Sequence, residues 1–174
     1  MLELTKADVV ERQLNTAIWL WFHDQDAVSI QALASGALKV CHDVGSKRGT
    51  PSDFITLESV PLELRPEIKK LLKEPQDFFK HATGDPDAVI NFHPIISEYF
   101  LYETITLTQQ VFGRCSISMF TFGAYFRIHR PELFPVLFKQ PDGLRPVTNW
   151  RELAEVSREE FFSRLVTHFA LPNL

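Results

Sequence analysis

Asp77, His81 and Asp85 stand four residues apart within "QDFFKHATGDPDAVINFHP", the stretch from Gln76 to Pro94. An imidazole between two carboxylates has two chemical uses. The carboxylates can tune it as a general base near neutral pH, or the three side chains can hold a metal ion. Lys80 is the cation beside them in a catalytic arrangement. On a helix opened by Pro75, the three residues fall at i, i+4 and i+8 on one side, although Gly84 ends such a helix before Asp85. A metal site built here has three local ligands, one of them past the glycine. A structural reading is simpler. His81 offsets the negative end of a helix, Asp85 before Pro86 caps a turn, and Phe78 and Phe79 pin the short helix to the core.

A second group is Arg127, His129 and Arg130 in "FRIHRPELF". Two guanidiniums around an imidazole can grip a phosphate. The competing reading is a solvated helix end where cations offset the dipole, and neither a Gly-rich loop nor an aromatic platform accompanies the charges. Other chemistries need residues at spacings that the chain does not contain. It has no phosphate-binding glycine loop, dinucleotide fingerprint, His-Glu-x-x-His or nucleophile elbow. Glu98 and Glu103 share one apolar stretch, but neither has the histidine three residues on that a di-iron bundle needs. No cofactor is expected.

The elements that must position these groups read as helices. From Thr5 to His23, residues Ala7, Val10, Leu14, Ala17, Ile18 and Trp21 recur at three- and four-residue steps. Thr5 is the N-cap, with Asp8 as a short capping-box acid. Trp19, Trp21 and Phe22 widen the apolar surface beyond one face. Asp26 caps a second helix, Ala27 to Val44, antiparallel to the first because the link is short. "ALASGA" (Ala32 to Ala37) is small enough for a close neighbour, with the Trp-rich end of the first helix filling the space beside it. Gly45 stands where a C-cap glycine belongs. A polar loop and an extended or irregular "FITLESVP" follow. Short helices are predicted for Pro66 to Lys73 and for Pro75 to Ala82, and a long one from Pro94 to about Val111. "RCSISMFTFGAYFRIH" fits strand alternation or a helix face. Helix is preferred, since no partner strand is near. "RPELFPVLFKQPDGLRP" reads as a short helix and a turn-rich loop. Ser157, with Glu160, caps the last helix.

At 174 residues the chain has the length of one domain, residues 1–174, with an ordinary apolar fraction of 45%. Fifteen Phe and only seven Gly suit helices better than tightly turned sheet. A net charge of −4 lacks the basic footprint that nucleic acid requires, which argues against DNA or RNA as the main partner. Cys41 and Cys115 lie among apolar residues and read as buried free thiols. The charged start "MLELTKADVVERQ" is no signal peptide, and no apolar run reaches membrane-spanning length. A cytoplasmic protein without a membrane segment is expected.

The segments "ERQLNTAIWLWF", "DAVSIQALASGALKV" and "FFKHATGDPDAVINF" resemble those of an uncharacterised family of bacterial helical proteins, the match resting most on Phe79, Lys80, His81, Ala82, Asp85, Pro86 and Asp87. The first two helices are similar to those of the HEPN superfamily. That resemblance implies a helical bundle and a homodimer. Many HEPN members are ribonucleases that act through an Arg-x4–6-His motif. Here "RLVTH" has only three residues between Arg164 and His168, and Arg127 and His129 have one between them. The expectation is an all-α, single-domain, up-and-down helical bundle with short crossing helices. Its expected function is non-catalytic, binding another protein or a second copy of itself. The alternative is a HEPN-like ribonuclease or metal-assisted hydrolase centred on His81 or His129.

Overall fold

The computed structural model describes residues 1–50, 61–80, 86–133 and 150–170, and the regular structure within them is helical throughout. The helices are α1 (Lys6–Phe22), α2 (Ala27–Arg48), α3 (Arg65–Phe78), α4 (Ile95–Phe112), α5 (Ile117–His129), α6 (Trp150–Ala154) and α7 (Arg158–Ala170), with a 3-10 turn at Pro131–Leu133 before α6. The all-α expectation holds, and the ambiguous segment after Gly113 is α5.

Local chemistry explains most helix ends. The Thr5 hydroxyl accepts the Asp8 amide at 3.2 Å, while the Asp8 carboxylate accepts the Thr5 amide at 2.8 Å, closing a capping box. Asp26 accepts the Ser29 amide at 2.8 Å, Ser116 accepts that of Met119 at 3.2 Å, and Ser157 accepts that of Glu160 at 3.2 Å. Gly113, at φ +65°, ends α4. Gly45 is not a cap. α2 runs on to Arg48 and is closed by Gly49 at φ +71°, with the Thr50 amide donating back to the Gly45 carbonyl at 2.9 Å. Gly45 is instead buried under α4, where a Cβ would lie 3.0 Å from a Val111 methyl.

The two short helices expected from Pro66 and Pro75 are one helix, α3, with Pro75 inside it. Leu72 and Pro75 face inward. Phe78 does not anchor this helix, being 38% exposed, and Phe79 is half-buried against Phe92 at 5.3 Å between ring centres. The readings of "FITLESVP", of His81 to Asp85 and of the loop from Phe134 fall outside the described residues.

α1 and α2 are antiparallel, with Gln13 of α1 set against Gly36 of α2. The small residues of α2 also pack on α4. Thr104 donates to the Ala34 carbonyl at 3.4 Å, Cys41 and Thr108 share a contact of 3.4 Å, and Arg48 donates to the Val111 carbonyl at 2.7 Å. These pairs advance together along both chains, so α2 and α4 run in the same direction, with α3 in the connection between them. α5 returns antiparallel to α4, Tyr102 stacking on Phe126 and Arg130 reaching back to Glu98. α7 lies along α5, Tyr125 meeting Phe161 at one end and Phe120 meeting Phe169 at the other. The core centres on Phe22, Phe100, Phe122, Phe126 and Phe161, each buried.

The capping box of α1 makes a prediction about acid. Hydrogen bonds from the Thr5 hydroxyl and amide, and then from Arg114, hold the Asp8 carboxyl far below the usual carboxylate range. A folded pKa below the unfolded value of about 3.9 means that the stabilisation is complete above that pH and is lost as pH falls further. Asp8→Asn should therefore flatten the decline in melting temperature between about pH 4 and pH 2 relative to the wild type. Parallel acid limbs for the two proteins would show that the box contributes nothing.

Candidate functional site

The histidine and acid residues singled out in the sequence do not form a common site among the described residues. Asp77 is exposed on α3. Lys80 follows α3, and partial burial is the main influence pulling its pKa below the ordinary lysine value. His81 and Asp85 lie outside the described residues. Arg127, His129 and Arg130 diverge. The Arg127 guanidinium donates to the Tyr102 hydroxyl at 3.2 Å and lies over that ring. Arg130 donates to Glu98 at 2.8 Å and to the His129 carbonyl at 3.1 Å. His129 stacks on Tyr125 at 3.8 Å, with Nδ1 2.9 Å from the Tyr125 carbonyl and Nε2 3.3 Å from that of Ala154. Both of its ring nitrogens are thus engaged by main chain, tying α5 to α6. His168 sits at the far end of the α5–α7 pair, against Phe169. Among the described residues no three His, Cys, Asp or Glu gather as metal ligands. Cys41 is buried as expected, and burial raises its pKa, but Cys115 is exposed.

Two other features stand out. The first is a cleft of about 440 Å³ at the end of the bundle where α2, α4 and α7 begin and α1 ends. It is lined by Trp21, Asp24, His93, Ser97, Glu98 and Arg158, among others. Glu98 is 8% exposed, with one oxygen 2.8 Å from Arg130 and the other 3.5 Å from Arg158. Arg158 also donates to Asp24 at 2.9 Å and lies 4.1 Å over the Trp21 ring. Asp24 holds its place with φ +49°, a left-handed conformation that Asp tolerates better than most residues. One carboxylate from α4 therefore ties α5 to the start of α7. The signal for it in the sequence is weak: Glu98 is one of two acids, with Glu103, in a largely apolar run.

The second feature is an aromatic face along α1, α5 and α7. Trp19 is 48%, Phe120 45% and Phe169 46% exposed. They fall in two groups of ring contacts. Trp19 stacks on His23, His23 meets the edge of Phe162, and Phe120 meets Phe169 at 5.1 Å. Ile117 adds to the face from α5. Trp21 and Phe22 are buried within the core, so of the three aromatics near the end of α1 it is Trp19 that belongs to this surface.

Among the described residues no helix is long and apolar enough to cross a membrane. No protein-family model, curated protein or solved structure matches the chain.

Proposed function

We propose that the chain is a non-catalytic binding module that pairs with a second copy of itself through the aromatic face of α1, α5 and α7. The observation that carries this reading is the exposure of Trp19, Phe120 and Phe169 on α1, α5 and α7, Trp19 in ring contact with His23 and Phe120 with Phe169. Single exposed hydrophobic residues are ordinary on protein surfaces. A contiguous exposed cluster is the usual mark of an interaction surface, and a two-fold dimer is the commonest way for a protein to cover one. Unpaired cysteines support a reducing, cytoplasmic setting. The alternative, an RNA-cleaving or metal-assisted enzyme, has less behind it, because main-chain carbonyls engage both ring nitrogens of His129.

Sedimentation equilibrium tests the reading. The wild type is expected to be dimeric at tens of micromolar. The double variant Phe120→Glu, Phe169→Glu should be monomeric with little change in melting temperature, since both side chains are already about half exposed. A monomeric wild type, or a variant that dimerises as well as the wild type, refutes it.

A further inference from the structure

We propose that the cleft beside Glu98 binds a small, uncharged, planar heterocycle of the nucleobase class, one whose edge carries an amino donor next to a ring-nitrogen acceptor. Three observations lead there, and none of them concerns the aromatic face.

The first is an unused hydrogen-bonding group. Ser97 lines the cleft and is 1% exposed, yet its hydroxyl has no partner among the described residues. A buried hydroxyl left in this way is costly and unusual in native proteins. Its neighbour Glu98 brings a carboxylate to the same wall, with one oxygen engaged, among the described residues, by the long contact to Arg158. His93 accepts the Ile95 amide on Nδ1 at 3.2 Å, which leaves Nε2 as the ring's hydrogen-bond donor. The wall thus offers a carboxylate that accepts, a hydroxyl that does either, and an imidazole that donates. Its complement is an edge with both kinds of group side by side.

The second is flatness. Trp21 covers one face of the Arg158 guanidinium, and Asp24 and Glu98 engage its edges. Arg158 therefore brings a planar cation, already held in place, to the cleft lining, and a π system stacks on such a group. Ile30, Pro94 and Ile95 complete an apolar surround.

The third is charge. The two acids Asp24 and Glu98 match the two guanidiniums of Arg130 and Arg158. The guanidiniums are already matched, so an anion finds no surplus cation and a cation finds no surplus acid. A neutral ligand enters without breaking a pair, and the cleft has room for one ring system.

The test titrates the full chain, labelled with nitrogen-15, with adenine and with cytosine, using benzoate and benzylamine as charged controls. The expected result is saturable shifts of the Ser97 and Glu98 amides and the Trp21 indole with either base, at affinities from high micromolar to millimolar. Ser97→Ala should melt at the same or a higher temperature, since it removes an unpaired hydroxyl, and should weaken binding about five- to tenfold. Arg158→Lys keeps the charge beside Asp24 but loses the stacking plane, and should weaken binding by at least as much. The proposal is overturned by shifts that do not saturate or that fall elsewhere, by benzoate or benzylamine binding as well as the bases, or by both variants binding like the wild type. Dimerisation is read separately by sedimentation, so failure of either idea leaves the other standing.

Discussion

Replacing Phe22 with Ala is expected to cost about 4–5 kcal/mol, the upper part of the range for a buried Phe. Phe22 is fully buried at the end of α1, and its ring lies within 6.2 Å, centre to centre, of those of Phe122, Tyr125, Phe161 and Phe162. Those neighbours come from α5 and α7, so one side chain joins three helices. The surrounding rings are large and interlocked, and they cannot collapse into the space without leaving their own packing. The loss should also be uneven. α7 meets the bundle largely through Phe161, Phe162 and Leu165, so its amide protons should exchange faster than those of α2 and α4. Denaturant unfolding gives the total, and hydrogen exchange gives its distribution. A cost below about 2 kcal/mol, or uniform acceleration, would show that Phe22 is one core residue among many.

Replacing Glu98 with Ala should be the next most damaging change, at about 2–3 kcal/mol. Removing one partner of a fully buried ion pair costs roughly 3–5 kcal/mol. Here the arginine side chains are 26% and 36% exposed, so water recovers part of the loss. Arg158 keeps Asp24 and the Trp21 face, whereas Arg130, among the described residues, is left with the main-chain carbonyl of His129. Glu98→Gln preserves shape and one weaker acceptor and should cost less than half as much. The exposed helical pairs Lys39–Asp43 and Arg164–Glu160 set the contrast, since removing either should leave stability nearly unchanged. Equal melting temperatures for Glu98→Ala and Asp43→Ala would show that the Glu98 tie is no stronger than a surface pair.

The boundary between what the sequence discloses and what it hides follows the range of each interaction. The caps at Thr5, Asp26 and Ser157 were legible because cap and amide are three residues apart. The apolar steps of α1 predicted its buried face for the same reason. Gly45 was misread because a glycine near a helix end suits a cap or a close approach equally well, and the deciding neighbour, Val111, is far along the chain. Pro75 was read as a helix start because proline favours that position, and tertiary packing of Leu72 and Pro75 outweighed it. The site was less legible still. Glu98 lies 32 residues from Arg130 and 60 from Arg158, and no local pattern joins them. The local histidine and acid patterns, by contrast, were visible but did not converge where both members are described.

The parallel course of α2 and α4 also governs the order of assembly. α1 and α2 need only a short turn to meet, and helical hairpins of that kind close quickly. The contacts that seat α4 on α2 span 63 to 70 residues, from Arg48 with Val111 to Ala34 with Thr104. Closing a loop of that length carries an entropic penalty before any contact repays it, and long-range contacts of this kind slow folding. A hairpin of α1 and α2 would therefore present its small-residue face to solvent while α4 is still searching for it. Ala34, Ala37, Cys41 and Gly45 bury little area each, so the waiting surface is only weakly adhesive to other chains. The same small side chains that let two helices lie close in the finished bundle keep its half-built form from sticking.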